Sequence, residues 1–371
     1  MKNLEKELIP RPHLWYFEYY SGNNVGLFMK INRMIYSSQS EIQRIDIFEN
    51  PDLGIVFSLD GITMLTEKDE FMYHEMLVHV PMFLHPEPKK VLIIGGGDGG
   101  SLREVLKHES VEKVVLCEVD ALVIEAAKKY LPTAVEFDNP KTDIVIANGA
   151  EYVRNFKEEF DVIIVDSTDP TSGEGGHLFT EEFYQACHDA LKEGGVFSAE
   201  TEDPFYDFGW LKLAYKRISK AFPIAKVYLG FMTTYPSGMW SYTFASKNID
   251  PIKDFDPEKV KKFDKELKYY NEDIHIASFA LPNFLKEELE KLVKRRSPDG
   301  LLHSVLNLSS RFSSSFILST RVSPDTESCS EACDTFPIIF LTCSISDTTS
   351  AIAFEALSIA AAISSAAALC S

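Results

Sequence analysis

The segment VLIIGGGDGGSLREVL, residues 91–106, decides the fold. Its first four residues form a continuous apolar run, which is typical of a strand buried on both faces of a parallel sheet. A glycine-rich loop follows, and SLREVL then has the pattern of a helix. Strand, glycine loop and helix in this order usually hold a nucleotide at the carboxyl edge of an α/β sheet.

An aspartate, Asp98, interrupts the glycines. In a dinucleotide-binding loop its carboxylate would face a pyrophosphate, and the repulsion would be on the order of a few kcal/mol in a low-dielectric cleft. Asp98 therefore disfavours NAD or ATP and favours a ligand that carries a cationic group. The alternative is that Asp98 only caps the helix that begins at Gly100.

Strands and helices alternate from Lys89 onward. After the strand at 91–94, apolar strands are predicted at KVVLCEVD, TDIVIAN, FDVIIVDS and GGVFSAET, with helices at 100–108, 120–130, 149–157, 180–192 and 209–221. IAKVYLGFMTTYPSGMWSYTFASK predicts an antiparallel hairpin at the sheet edge, and two helices close the region. The pattern predicts a Rossmann-like, mostly parallel sheet with helices on both faces over residues 67–292.

The two ends of the chain differ from this central region. Residues 14–66 alternate polar and apolar residues between turn signals such as SGNN and LDG, so residues 1–66 are expected to form a small antiparallel β domain of hairpins. Lysine disappears after Arg296, and serine and alanine become abundant. We expect residues 293–371 to form a tail outside the fold.

Composition restricts the partners and the compartment. The formal net charge of −19 argues against nucleic acid or an anionic membrane surface as a partner and suits a polycationic substrate. The N-terminus has no signal-peptide core, and only Cys117 and Cys187 occur in the first 290 residues. These features predict a cytoplasmic protein without a disulfide framework.

Polar residues follow the predicted strands. Glu118 ends the second strand, where an acid commonly accepts both hydroxyls of a ribose, although a surface acid is the plainer interpretation. Asn148 and Gly149 end the third strand, where a side-chain amide can meet the edge of an adenine. With the glycine loop, these residues predict an adenosine site without phosphates.

Acids accumulate at the same edge. Asp166 and Asp169 end the fourth strand, ahead of a glycine-rich segment, TSGEGGHLFTEEFY, that is expected to form a lid; Glu200 and Glu202 end the fifth. Buried like charges need a positive partner. A polyamine is the simplest one and a hard divalent metal the competing one; the histidine pattern supports no metal site.

These two ligands suggest a reaction. An adenosyl donor without phosphates is most plausibly a sulfonium, and a primary amine would attack the carbon beside its sulfur. The alkylammonium must first lose a proton, which Asp166 is placed to accept, while Asp98 and Asp169 orient the diamine.

Several segments resemble the spermidine synthase (polyamine aminopropyltransferase) family. They are VLIIGGGDGGSLREVL, CEVD, DVIIVDSTDP, TYPSGMWSYTFASK, DEFMYHEML and LWYFEYY. The resemblance runs from about residue 10 to residue 290. It implies a Rossmann-like methyltransferase-type fold, and transfer of an aminopropyl group from decarboxylated S-adenosylmethionine, as co-substrate, to putrescine. Spermidine and 5′-methylthioadenosine would be the products. No prosthetic group is implied, and a homodimer or homotetramer is expected.

The resemblance also implies residue roles. Asp166 matches the catalytic aspartate. The positions that match donor-binding residues are Gln43, Gly95, Gly97, Asp98, Glu118, Asn148 and Gly149. The positions that match acceptor-binding residues are Trp15, Tyr73, His74, Asp169 and Tyr235. Many members have Asp where Asn148 stands, so adenine recognition is expected to differ in detail.

Two other functions remain open on the same fold. An S-adenosylmethionine-dependent methyltransferase is one, although such enzymes often place an acid before the glycines, where this chain has Ile93 and Ile94. A non-catalytic adenosyl- or polyamine-binding module is the other. Within the aminopropyltransferases, agmatine, cadaverine or a longer polyamine would use the same acids as putrescine.

Overall fold

The apolar run at 91–94 lies in the middle strand of a seven-stranded sheet. The computed structural model describes residues 14–20, 24–167 and 178–294. All of them belong to one compact unit. The expected tail from residue 295 on, the position of Asp169 and residues 171–177 of the expected lid lie outside the described residues.

The N-terminal region consists of two antiparallel sheets. β1 (Leu14–Tyr20) pairs with β2 (Val25–Ile31). A four-stranded sheet contains β3 (Arg33–Gln39), β4 (Arg44–Asn50), β5 (Gly54–Leu59) and β6 (Ile62–Thr66) in sequence order. The turn between β5 and β6 is Asp60-Gly61, and both residues have positive φ, 50° and 81°, as a two-residue hairpin of this twist requires. The hairpins predicted here are confirmed.

A buried helix, α1 (Glu70–Leu84), follows. It ends just before His85, whose ψ of 136° is extended because Pro86 disfavours helical backbone in the residue before it. Nearly every side chain of α1 is buried, since the helix packs against the sheet and against the next helix along the chain.

The large sheet has both parallel and antiparallel strands. Its strands are β7 (Lys90–Gly95), β8 (Lys113–Glu118), β9 (Thr142–Ile146), β10 (Phe160–Asp166), β11 (Leu191–Glu200), β12 (Ile224–Phe231) and β13 (Met239–Ser246). Their spatial order is β12-β13-β11-β10-β7-β8-β9. The five strands from β11 to β9 are parallel, and β13 is antiparallel to both of its neighbours. The predicted fold class and the edge hairpin are confirmed.

Helices cover both faces. They are α2 (Gly100–Leu106), α3 (Ala121–Tyr130), α4 (Gly149–Tyr152), α5 (Glu181–Ala190), α6 (Phe208–Ala221), α7 (Pro257–Lys261), α8 (Glu272–Ser278) and α9 (Asn283–Lys294). Alternate residues of β7 separate the two cores: Val91 and Ile93 pack with α1, α2 and α3, whereas Leu92 and Ile94 pack with α5. The closing region holds three helices, not the two expected, because α7 and α8 are separate short helices.

The domain boundaries stay a prediction, although β6 ends at Thr66 and α1 begins at Glu70, close to the expected boundary. Within the described residues, no helix is both long and apolar enough to span a bilayer.

Candidate active site

The site lies at the carboxyl ends of β7 and β10, where the strand order reverses. The chain continues from β7 toward β8 on one side and from β10 toward β11 on the other, which leaves a crevice between them. Gly95 lies opposite Asp166 in the ladder. A Cβ on Gly95 would stand 2.0 Å from the carbonyl oxygen of Asp166, and the φ of Gly95 is +81°. Only glycine lets the loop cross the end of β10 this closely.

Asp166 is a buried carboxylate with two hydroxyl donors. Tyr73 donates its hydroxyl to Oδ1 at 2.8 Å, and Ser101 donates to Oδ2 at 2.6 Å. Burial and the neighbouring Asp98 raise the pKa of Asp166 above its ordinary value, against these hydrogen bonds. A carboxylate held in place with a raised pKa is suited to accept a proton.

Asp98 both caps the helix and faces the crevice. Its Oδ1 accepts from the backbone N–H of Gly100 at 2.7 Å, so the capping interpretation is correct locally. The same oxygen lies 3.4 Å from Nε2 of His74, and Asp98 also lines the crevice. The His74 ring fits against Gly100, where a Cβ would stand 2.2 Å from the ring.

His74, Asp98 and Asp166 form the tightest polar group of the site. One ligand atom from each lies within 4.8 Å of the others. Burial lowers the pKa of His74, but Asp98 and Glu70 outweigh it and raise that pKa well above its usual value. Such a group suits a small positive charge, either an ammonium or a metal ion.

Glu118 ends β8 and faces the glycine loop. Its Oε1 accepts from the backbone N–H groups of Val119 and Asp120 at 2.9 and 3.0 Å. A Cβ on Gly97 would stand 2.8 Å from Oε2. Burial raises the pKa of Glu118 to about 7 in spite of these hydrogen bonds. The carboxylate is therefore at the crevice wall, with its charge only partly compensated.

Residues from two connections line the crevice beside the glycine loop. Asn148 caps α4, its Oδ1 accepting from the N–H groups of Ala150 and Glu151. Gly149 packs so closely on Ile94 that a Cβ would stand 2.3 Å from Cγ2. Gln43, between β3 and β4, donates from Nε2 to Asp120 at 3.2 Å, which ties the N-terminal sheet to the start of α3.

Two tyrosines also line the crevice. Tyr235 donates its hydroxyl to the carbonyl of Met64 at 2.6 Å, and its ring lies 5.9 Å from that of Tyr73. Burial raises the pKa of both phenols well above the ordinary value, so both are neutral donors at physiological pH.

One cavity brings together most of the residues predicted from the sequence. Those that line it are Gln43, Tyr73, His74, Gly95, Gly97, Asp98, Glu118, Asn148, Gly149, Asp166 and Tyr235. Asp169 lies outside the described residues. Trp15 is not among the lining residues: it lies half-exposed on β1, with its ring edge-on to Phe28 at 5.6 Å. Its position gives its expected acceptor role no support.

Sequence reasoning missed three polar residues that hold the site. Ser101, in the first turn of α2, bonds Asp166. Glu70 accepts from Nδ1 of His74 at 2.7 Å, and Arg103 binds Glu70 in turn. The i,i+4 spacing of Glu70 and His74 on a predicted helix was the available signal.

The chain matches two known protein domain families. The spermine/spermidine synthase domain matches residues 70–257, and the spermidine synthase tetramerisation domain matches residues 14–67. Together they span the crevice and the N-terminal sheets.

Close relatives and solved structures agree with these matches. A polyamine aminopropyltransferase of Thermotoga petrophila is 84% identical over 290 residues, covering 78% of this chain and 98% of that protein. Its counterpart from Alkaliphilus oremlandii is 47% identical over 281 residues, covering 75% and 98%. A crystal structure of a spermidine synthase in complex with the transition state analogue AdoDATO aligns with a TM-score of 0.75 and 82% identity, covering 78% of this chain and 99% of that one.

Proposed function

Because the chain belongs to the spermine/spermidine synthase family, we propose that it transfers the aminopropyl group of decarboxylated S-adenosylmethionine to putrescine. The products are spermidine and 5′-methylthioadenosine. The relatives of this chain from Thermotoga petrophila and Alkaliphilus oremlandii are polyamine aminopropyltransferases, and one structural neighbour is a spermidine synthase that binds a transition state analogue.

The charge of the crevice is the observation that carries the proposal. Among the described residues that line it there are four acids, Asp60, Asp98, Glu118 and Asp166, and neither lysine nor arginine. Carboxylate oxygens of Asp98 and Asp166 lie within 4.8 Å of each other. Anions at this distance favour a substrate that brings its own positive charge, as both a sulfonium donor and a diamine do.

The donor is recognised along the ends of β7, β8 and β9. Glu118 accepts the ribose hydroxyls, Asn148 and Gly149 meet the adenine, and Gln43 lies beside the sulfur. Gly95 and Gly97 let the backbone approach the donor closely. Asp98 receives the ammonium that decarboxylation leaves without a neighbouring carboxylate. The same aspartate would repel the carboxylate of S-adenosylmethionine, which disfavours the methyltransferase alternative.

Proton removal precedes transfer. The acceptor enters as an alkylammonium, with a pKa near ~10.4 in water, and has no lone pair for attack. Asp166 accepts one proton from it, directly or through water. Tyr73 and Ser101 hold both carboxylate oxygens, at 2.8 and 2.6 Å, so the base does not need to reorient.

Transfer is an in-line displacement. The freed nitrogen attacks the methylene carbon beside the sulfonium, the new C–N bond forms, and the C–S bond breaks with its electron pair going to sulfur. Sulfur thereby becomes the neutral thioether of methylthioadenosine. The positive charge passes to the new secondary amine, which stays within reach of the acids. Alignment of the two reactants supplies much of the rate acceleration.

The acceptor amine is held by Tyr73, His74 and Tyr235, and the family resemblance adds Asp169. The resemblance also implies Trp15, but Trp15 does not line the crevice and is left out of the proposal. An acceptor panel of putrescine, agmatine, cadaverine and spermidine, followed by methylthioadenosine release, tests this choice. We expect putrescine to give the highest kcat/KM, and a higher value for agmatine or spermidine would reassign the acceptor.

Calorimetry with the two donors tests the reaction class: tighter binding of the carboxylated donor would favour the methyltransferase alternative. Full activity after chelation of divalent metals would exclude the competing metal site.

The β1–β2 hairpin bears on the oligomeric state of the protein, and the cysteines bear on its cellular location. The exposed face of the β1–β2 hairpin carries Phe17, Tyr19 and Phe28, each more than half exposed. An apolar patch of this kind suits burial against other copies, and the match to a tetramerisation domain covers it. We propose a homotetramer, with a homodimer as the alternative that light scattering would detect. The described cysteines, Cys117 and Cys187, are unpaired, in keeping with a cytoplasmic location.

A further inference from the structure

A buried line of charged side chains runs away from the active site between α1 and α2. It begins at His74, continues through Glu70 and Arg103, and reaches Glu104. None of the last three residues lines the crevice, and the reaction as described uses none of them. Charged groups are rarely placed in a protein interior without compensation.

The His74 ring lies between two carboxylates. Nδ1 lies 2.7 Å from Oε2 of Glu70, and Nε2 lies 3.4 Å from Oδ1 of Asp98. A neutral imidazole has one N–H and one bare lone pair, so it can donate to only one of these oxygens. Both contacts are attractive only when the ring is an imidazolium with an N–H on each side.

Arg103 sets the orientation of Glu70. Its two terminal nitrogens donate to the two oxygens of Glu70 at 3.0 and 2.8 Å, a bidentate pair that defines the plane of the carboxylate. Burial opposes the charge, but His74 and Arg103 lower the pKa of Glu70 to about 2. The anion that faces Nδ1 is therefore permanent over the working pH range.

Arg103 is itself held from its other side. Its Nε donates to Oε1 of Glu104 at 2.8 Å. The other oxygen of Glu104 meets Nε2 of His79 at 2.9 Å and Nζ of Lys107 at 2.7 Å. The guanidinium is thus fixed between two carboxylates, one from each helix, and its position follows the packing of α1 on α2.

We propose that Arg103 is a positioning residue for catalysis: it fixes Glu70, Glu70 holds His74 as an imidazolium, and the Nε2–H of His74 orients Asp98 toward the ammonium of the donor. The inference rests on the proposed function for the identity of that ammonium. The charge of His74 also offsets part of the effect by which Asp98 raises the pKa of Asp166.

The test compares two substitutions on one helix. Arg103→Met keeps the aliphatic stem and removes the guanidinium, whereas Lys107→Met removes a different cation from the same Glu104 without touching Glu70. We expect Arg103→Met to raise the KM for decarboxylated S-adenosylmethionine about tenfold, the loss of one well-oriented charge-assisted contact, with kcat changed much less. Lys107→Met should leave kcat and KM near the parent values. Arg103→Lys should raise the KM less than Arg103→Met does, because it keeps a positive charge.

A second readout does not depend on activity. In ¹⁵N-histidine spectra of the ligand-free protein, with His74 assigned through a His74→Gln variant, both ring nitrogens should give protonated shifts in the parent. In Arg103→Met one of them should lose its proton at a lower pH than in the parent. If Arg103→Met does not fold, the charge-balanced double variant Glu70→Gln with Arg103→Met replaces it, with the same expected rise in KM.

Three results would overturn the inference: equal KM values for the Arg103 and Lys107 variants, an unchanged KM in the double variant, or a neutral His74 ring in the parent. Failure of the proposed function is a separate result. A parent protein that binds the donor and never releases methylthioadenosine would refute the reaction, whatever the ring of His74 shows.

Discussion

Replacing Glu118 by glutamine should stabilise the ligand-free protein at alkaline pH while it weakens donor binding. Glu118 is buried at the end of β8, and burial raises the pKa of its carboxyl to about 7 from 4.5. Above pH 7 the folded protein keeps the buried Glu118 carboxylate ionised, and this charge lowers the free energy of unfolding. Glutamine has nearly the same shape and carries no charge.

The magnitude follows from proton linkage. A carboxyl whose folded pKa lies above its unfolded pKa binds more protons in the folded state, so stability falls as pH rises between the two values. For pKa values of 4.5 and about 7, the penalty is about 1 kcal/mol at pH 5 and about 3 kcal/mol at pH 8. Glutamine loses one acceptor toward the N–H of Gly97, which costs about 1 kcal/mol at every pH. Glu118→Gln should therefore be nearly neutral at pH 5 and about 2 kcal/mol more stable at pH 8.

Guanidinium unfolding of the two proteins at pH 5 and pH 8 measures this difference. The pH dependence of the gain, about 2 kcal/mol, is the diagnostic quantity, since lost hydrogen bonds contribute equally at both pH values. Calorimetry at pH 8 should show much weaker donor binding, because the neutral amide cannot accept both ribose hydroxyls. An equal stability change at both pH values would refute the raised pKa, and unchanged donor affinity would refute the ribose role.

Two further substitutions test neighbouring parts of the site. Tyr73→Phe removes a hydrogen bond that lowers the pKa of Asp166, so the acidic limb of the kcat/KM profile should move to higher pH; an unmoved limb would show that another group titrates there. Gly97→Ala would place a Cβ 2.7 Å from Val123 and 2.8 Å from Glu118, so it should destabilise the protein by about 1–3 kcal/mol and weaken donor binding. The matched control is Gly209→Ala, which meets nothing within 4 Å and should leave thermal stability and donor affinity unchanged; equal effects of the two would refute the steric argument.

The sheet was predictable because its signals are local. Each parallel strand is a short apolar run with a helix after it, and the acids at the strand ends then have to meet at one edge. That reasoning alone brings Asp98, Glu118 and Asp166 to the same crevice. The helix boundaries in the closing region were harder to predict, because α7 and α8 are only 5 and 7 residues long and carry little periodic signal.

The supporting contacts of the site were not predictable in the same way. Glu70 and Arg103 meet across α1 and α2, and Ser101 meets Asp166 across α2 and β10; tertiary packing sets both distances. The double role of Asp98 is similar: the sequence offered capping and ligand binding as alternatives, and the structure allows both because the carboxylate caps Gly100 at the mouth of the crevice. The surroundings of Trp15 depend on where the β1–β2 hairpin lies, and a sequence motif does not determine that position.

The most direct test of the account is the activity of Asp166→Asn with decarboxylated S-adenosylmethionine and putrescine, followed by methylthioadenosine release. Asparagine keeps the size of the side chain and can accept from one of the two hydroxyls, Tyr73 or Ser101, but it cannot accept the proton. We predict that kcat falls by about 10²–10⁴, the usual contribution of a general base, while the donor binds with nearly the parent affinity. A variant that binds the donor normally and keeps more than a tenth of the parent kcat would contradict the assignment of Asp166 as the base.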